Sequence, residues 1–230
     1  MRKYSTLLMD VDNTLLDFTE DERVAVIKTL KECGLPHDDI TVKTYSKIND
    51  DLWHDFEKGI VTKEELKILR FKRLIERFSL KSEKLPSEIN ELYAFNLGEG
   101  GILFEGALEV CLKLVSDGYK IYGVTNGLET TQKKRLRNSG LDKIFKEVFV
   151  SEKIGFQKPT KEYFNYVFSH IEEKDKKKIL LVGDSLSSDI KGAVDSGIDC
   201  LWINPQKKKA DKNCIPTYEA DFIGEIEKFL

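Results

Sequence analysis

The chain has 230 residues, 33% of them charged and 40% apolar, with a formal net charge of −3. This composition excludes a low-complexity or collagen-like chain and suits one large domain, or a core with an insertion. The mildly acidic balance argues against a nucleic-acid binder, which normally carries a net basic domain or stripe. The basic run Lys207, Lys208 and Lys209 reads as a solvated loop.

The four cysteines (Cys33, Cys111, Cys200, Cys214) form no C-x-x-C pair and have no histidine at zinc spacing. Cys111 and Cys200 lie inside apolar segments and read as small core residues. The simplest setting is reducing and cytoplasmic. The N-terminus runs directly into a strand-like segment without a signal-peptide pattern, and no apolar stretch is long enough to span a bilayer. The oligomeric expectation is a monomer or homodimer.

The first apolar run covers residues 4–11. A long helical block follows, with no convincing strand. In it, Tyr45, Ile48, Leu52 and Phe56 form one stripe, and Gly59 is a helix stop. Thr62 and Glu65 make a capping box for the next helix, whose apolar face is Ile68, Phe71, Ile75 and Phe78, with Lys67, Arg70, Arg73 and Arg77 around it. Pro86 opens another short helix.

From about residue 102 the texture changes. Apolar runs at 120–125, 147–150, 179–183 and 200–203 alternate with helices that begin near Ala107, Leu128, Thr160 and Ser187. The expected fold is therefore α/β: a Rossmann-like parallel sheet with helices on both faces, and a helical domain inserted after the first strand. The expected division is residues 1–14 with 100–230 as the core and 15–99 as the insertion. Whether residues 216–218 add an edge strand is not decided by propensity.

Four polar segments stand at strand ends, where open parallel sheets bind ligands. The first is Asp10-Val11-Asp12-Asn13-Thr14. A strand's period of two puts Asp10 and Asp12 on one face, and such a pair calls for a cation or a shared proton. Read alone, it is equally a strand-end turn. The second, Thr125-Asn126-Gly127, leads into a helix and suits a phosphate, or simply caps the helix. The third, Lys158-Pro159, would by itself be an ordinary loop. The fourth runs from Gly183-Asp184 to Asp189 and brings two more carboxylates to a helix start.

In this order the segments resemble the haloacid dehalogenase superfamily, whose motifs are D-x-D-x-T, a strand-terminal Thr or Ser, a Lys, and G-D-x-x-x-x-D. The segments Phe104-Glu105-Gly106-Ala107 and Gly155-x-x-Lys158-Pro159 are similar to further family patterns. The resemblance implies a phosphohydrolase that uses Mg²⁺. It implies Asp10 as nucleophile and Asp12 as general acid and base. Thr125 would hold a phosphate oxygen with help from the Asn126 backbone and Gly127, and Lys158 would neutralise Asp10 and the phosphoryl group. Asp10, the Asp12 backbone carbonyl and Asp184 would bind the metal, and Asp189 would support its shell or fix Lys158. Dehalogenase members lack the second carboxylate, so Asp12 points to phosphoryl transfer.

The helical insertion takes the place of the family's cap, which closes over the site and reads the leaving group. The run Leu52-Trp53-x-x-Phe56-x-x-Gly59 with Thr62 resembles the pyrimidine 5′-nucleotidase branch, as do Gln132, Arg135 and the segment 201–204. That resemblance implies nucleoside 5′-monophosphates such as dUMP, UMP or dTMP as substrates. Phe18 and Trp53 would be base-stacking candidates, although Trp53 and Phe56 equally suit the insertion's own core. Alternatives on the same fold are a sugar-phosphate or phosphoglycolate phosphatase, and a silent phospho-ligand-binding module.

Overall fold

The computed structural model describes residues 2–212 and 214–230. The chain divides into two compact units, Met1–Asp17 with Ile102–Leu230, and Phe18–Gly101. Leu15 and Leu16 fall in the first unit because both are buried in its core.

The first unit is a six-stranded parallel sheet. Its strands are β1 (Thr6–Met9), β2 (Lys120–Thr125), β3 (Val148–Val150), β4 (Ile179–Gly183), β5 (Asp199–Ile203) and β6 (Tyr218–Ala220), in the order β3-β2-β1-β4-β5-β6. The chain leaves β1 first to one side and later to the other, so the crevice at the carboxyl end of β1 is a topological switch point. The edge strand that propensity left open is β6, paired in parallel with β5 through Leu201 and Tyr218.

Two apolar clusters explain why the strands carry hydrophobic residues in succession. Leu7 and Met9, Leu180 and Val182, and Leu201 and Ile203 belong to one cluster. The alternating residues Leu8, Ile179, Leu181, Cys200 and Trp202 belong to the other. Each face is covered by helices, so a polar residue at either position of the period would lose its water without gaining a partner.

The second unit holds four helices: α1 (Phe18–Glu32), α2 (Asp39–Glu57), α3 (Lys63–Phe78) and α4 (Pro86–Gly98). The capping box of Thr62 and Glu65 forms as the sequence pattern requires. Two expectations for α3 fail. Ile68 is exposed, whereas Arg70 is buried, with its Nε donating to Asn90 Oδ1 at 2.9 Å and its guanidinium over the Tyr93 ring at 4.4 Å. Asn90 and the π face of Tyr93 offset the desolvation of the guanidinium, and periodicity cannot anticipate such partners. Among the described residues, no helix is long and apolar enough to cross a membrane.

Returning to the first unit, α5 (Ala107–Ser116), α6 (Glu129–Ser139), the short α7 (Ser151–Ile154), α8 (Lys161–His170) and α9 (Lys191–Ser196) connect the strands. A π-helical turn at Leu186–Ile190 runs directly into α9. Such single turns recur at functional sites.

Candidate active site

The ladder of β1 extends one residue past the strand. Asp10 N–H donates to Val182 O at 2.9 Å, which fixes the Asp10 backbone at the switch point. Both oxygens of its buried carboxylate have donors: Lys158 Nζ lies 2.6 Å from Oδ1, and Thr14 Oγ1 donates to Oδ2 at 3.0 Å. The last residue of D-x-D-x-T therefore orients the first.

Lys158 reaches this point from the loop between α7 and α8. Its side chain is 2% exposed, and its ammonium donates to Asp10 Oδ1, to Asp189 Oδ1 at 2.6 Å and to Val124 O at 3.0 Å. Three acceptors satisfy all three ammonium protons. Burial acts to lower the pKa of this group, but the Asp10 and Asp189 carboxylates outweigh it and hold the ammonium above the usual lysine range.

Asp189 is fixed further by the Ser185 N–H, which donates to Oδ2 at 3.2 Å. It needs Gly183 beneath it, because a Cβ there would lie 2.4 Å from the Asp189 carboxyl carbon. Asp184 is held through its backbone: the indole N–H of the buried Trp202 donates to Asp184 O at 2.8 Å.

Asp10, Asp184 and Asp189 each place a carboxylate oxygen so that all three lie within 4.8 Å of one another. Burial pushes the Asp10 carboxyl up to about 7; Lys158 opposes that shift, and repulsion from Asp189 and Asp12 adds to it. Asp184 is raised well above the carboxylate range, by burial first and then by Asp10 and Asp189. When all three carboxylates are ionised, they and the one ammonium carry a charge of −2 in a small volume, which a divalent cation with oxygen ligands matches and which protons otherwise reduce. The residues present thus fit a hard divalent metal.

Asp12 is not a side-chain member of this group. The strand ends at Met9, Asn13 adopts φ 59°, and Asp12 forms an isolated bridge with Leu16, so strand alternation stops before Asp12. The Asp12 carboxylate is instead met by α6, where Arg135 donates to Oδ1 and Gln132 Nε2 to Oδ2. The metal role implied for Asp12 involved only its backbone carbonyl.

The hydroxyl of Thr125 accepts from Gly127 N–H at 3.0 Å and from Gln132 Nε2 at 2.9 Å. A hydroxyl has two acceptor sites and one proton, so these bonds turn Thr125 into a directed donor. The Asn126 side chain, to which the motif reading gave no role, has a use of its own. It clasps the Lys158 backbone, accepting from Lys158 N at 2.9 Å and donating to Lys158 O at 3.0 Å. Phe18 and Trp53, the two aromatic candidates, lie in the helical unit. Phe18 packs against the cluster around Val26, Tyr45 and Tyr93, and Trp53 meets Phe56 edge-on at 5.7 Å.

A family model for haloacid dehalogenase-like hydrolases matches residues 4–197. The chain belongs to the haloacid dehalogenase-like hydrolases. This hydrolase is 40% identical to YfnB of Bacillus subtilis, named as a HAD-hydrolase, over 100% of this chain and 97% of that protein. The crystal structure of YfnB bound to magnesium superposes with a TM-score of 0.92, covering 100% of this chain and 99% of that one. The hydrolase is also 38% identical to the pyrimidine 5′-nucleotidase PynA of Streptococcus pneumoniae over 94% of this chain and 90% of PynA. With the pyrimidine 5′-nucleotidase YjjG of Escherichia coli the identity is 28%, over 99% and 98% of the two chains.

The sequence motifs did not assign roles to Thr14, Trp202, Gln132 or Arg135. Thr14 was visible as the last letter of its motif. Trp202, Gln132 and Arg135 were visible only as parts of the segments that resemble the pyrimidine 5′-nucleotidase branch.

Proposed function

We propose that this hydrolase is a Mg²⁺-dependent phosphatase that acts on nucleoside 5′-monophosphates, pyrimidine ones first, through a phosphoryl group carried on Asp10. The observation that carries this reading is the Asp10 carboxylate, held at both oxygens by Lys158 and Thr14 and crowded by Asp184 and Asp189. A carboxylate fixed in this way is aimed as a nucleophile but repels a dianionic phosphate, and Lys158 offsets that repulsion.

Asp10 attacks phosphorus, and the bond from phosphorus to the ester oxygen breaks. Asp12 gives a proton to the departing oxygen. A water then attacks the phosphorylated Asp10, losing its proton to Asp12, and inorganic phosphate leaves with Asp10 restored. The directed Thr125 hydroxyl donates to a phosphoryl oxygen throughout. Mg²⁺ held by Asp10, Asp184, Asp189 and the Asp12 carbonyl supplies charge neutralisation at the phosphoryl oxygens when bound. The nucleotide preference draws on the relatives PynA and YjjG and on the Trp53 and Phe56 run, with substrate selection assigned to the helical unit. Four free thiols suit a reducing cytoplasm.

Phosphate release from a panel of nucleoside 5′-monophosphates, phosphoglycolate, sugar phosphates and p-nitrophenyl phosphate, with Mg²⁺ and with EDTA, tests the reading. Magnesium-dependent turnover led by dUMP, UMP or dTMP is expected. Turnover led by a sugar phosphate or phosphoglycolate would discard the nucleotide preference, and turnover unaffected by EDTA would discard the metal.

The crowded carboxylates also give a pH dependence. Asp10 has a folded-state pKa of about 7, above an unfolded value of about 3.9. The folded protein therefore holds the extra proton, and the contribution of this carboxyl to metal-free stability is full below about pH 4 and lost as pH rises through about 7. Each unit of difference is worth about 1.4 kcal/mol. Mg²⁺ replaces the proton, so the gap in melting temperature between Mg²⁺ and EDTA should widen from pH 5 to pH 8. A gap constant over that range in thermal melts would contradict this electrostatic account.

A further inference from the structure

The buried residues of α6 are Thr131, Gln132, Arg135, Leu136 and Ser139, only one of them apolar. A helix normally packs through an apolar stripe, so this face is held by something other than hydrophobic burial. Gln132 and Arg135 stand three residues apart on one face, and each is 1% exposed. Arg135 Nη1 donates to Asp12 Oδ1 and Gln132 Nε2 to Asp12 Oδ2, so both carboxylate oxygens are fixed. Gln132 Nε2 also donates to Thr125 Oγ1 at 2.9 Å.

The orientation of the Gln132 amide follows from its neighbour. Arg135 Nη1 donates to Gln132 Oε1 at 3.3 Å, and a guanidinium can only donate. The amide oxygen therefore faces Arg135, and its NH₂ group faces Asp12 and Thr125. Gly127 leaves the room for this, since a Cβ there would lie 2.5 Å from Gln132 Nε2.

We propose that Gln132 and Arg135 are positioning residues that brace the Asp12 carboxylate against the Thr125 hydroxyl, so that the proton-transfer group and the phosphate-holding group keep one fixed separation. The inference rests on the roles given to Asp12 and Thr125 under the proposed function. Arg135 supplies the charge that holds the carboxylate, and Gln132 ties that carboxylate to the end of β2. Both act through Asp12 and Thr125. A displacement of about 1 Å at such a group costs about 100-fold in rate, but only where the group takes part in the step.

The leaving group separates this role from plain structural support. p-Nitrophenolate departs without a proton, whereas an alkoxide needs one. The experiment measures kcat and KM with Mg²⁺ on p-nitrophenyl phosphate and on the alkyl phosphate that the wild type hydrolyses best. The proteins are wild type, Asp12→Asn, Gln132→Leu, Arg135→Met and Arg135→Lys. Asp12→Asn should lose far more kcat on the alkyl ester than on the nitrophenyl ester. Gln132→Leu and Arg135→Met should show the same selectivity, about 10- to 100-fold, with KM little changed, and Arg135→Lys should recover part of it. Equal losses on both esters, with Asp12→Asn still selective, would overturn the brace and leave the function reading intact. An unselective Asp12→Asn, or a wild type that turns over neither ester, would remove the function reading and the brace with it. Should Arg135→Met fail to fold, Gln132→Leu decides, because it removes no charge.

Discussion

Asp10→Asn should abolish phosphate release, by at least about 10⁴-fold in kcat, while leaving a folded protein. Asparagine keeps the volume of the side chain, and its amide oxygen can still accept from Lys158 or Thr14. It removes the nucleophile and one of the three clustered negative charges. Metal-free stability near neutral pH should hold or rise, because a neutral amide carries no charge to desolvate on burial, the main cause that lifts Asp10 to about 7, and none for Asp189 and Asp12 to repel. Stabilisation by Mg²⁺ should shrink for the same reason. Activity, thermal melts and magnesium titration on one preparation check all three, and wild-type turnover in the variant would sink the phosphoryl-aspartate mechanism.

Lys158→Met should abolish activity too, but with the opposite effect on stability. The ammonium is the shared cation of Asp10 and Asp189, each lies 2.6 Å from it, and all three side chains are buried. Methionine fills similar space and leaves both carboxylates buried without their cation. Breaking a buried pair by removing one partner costs about 3–5 kcal/mol. The cost should be smaller at pH 5 than at pH 8, because the stranded carboxylates then protonate, and Mg²⁺ should recover part of it. Urea unfolding at the two pH values, with and without Mg²⁺, measures this. A variant as stable as wild type at pH 8 in EDTA would show that Lys158 does not hold the cluster together.

These two variants mark how far the motifs could be read. Asp10, Asp184 and Asp189 were legible as residues because each follows a buried strand or enters a helix, whereas Lys158, in a loop, was marked only by the resemblance to the family's motifs. The fold was legible for a similar reason. Strands covered on both faces must be apolar at successive positions, and the runs at 120–125 and 179–183 show it. The helical unit was legible from the Tyr45 to Phe56 stripe and the Thr62 capping box. In the same unit Arg70 misled the pattern, because a buried arginine and a surface arginine look alike until Asn90 and Tyr93 are placed beside it.

The partners of each group were a tertiary matter. Period-two alternation anticipated Asp10 and Asp12 side by side, but the strand ends at Met9 and the two carboxylates find different partners, Lys158 for one and Arg135 with Gln132 for the other. The motif implied a role for the Asn126 backbone, and only the structure gives its side chain one, the clasp on the Lys158 backbone. By itself the sequence determined which elements form, in what order, and which ionisable residues arrive at the carboxyl end of the sheet, because these follow from local periodicity and burial. Only the tertiary structure decided which carboxylates share a cation, which one is braced by α6, and where the Thr125 proton points. Those outcomes depend on distances of a few ångströms between residues as far apart as Asp10 and Asp189, and no local pattern encodes them.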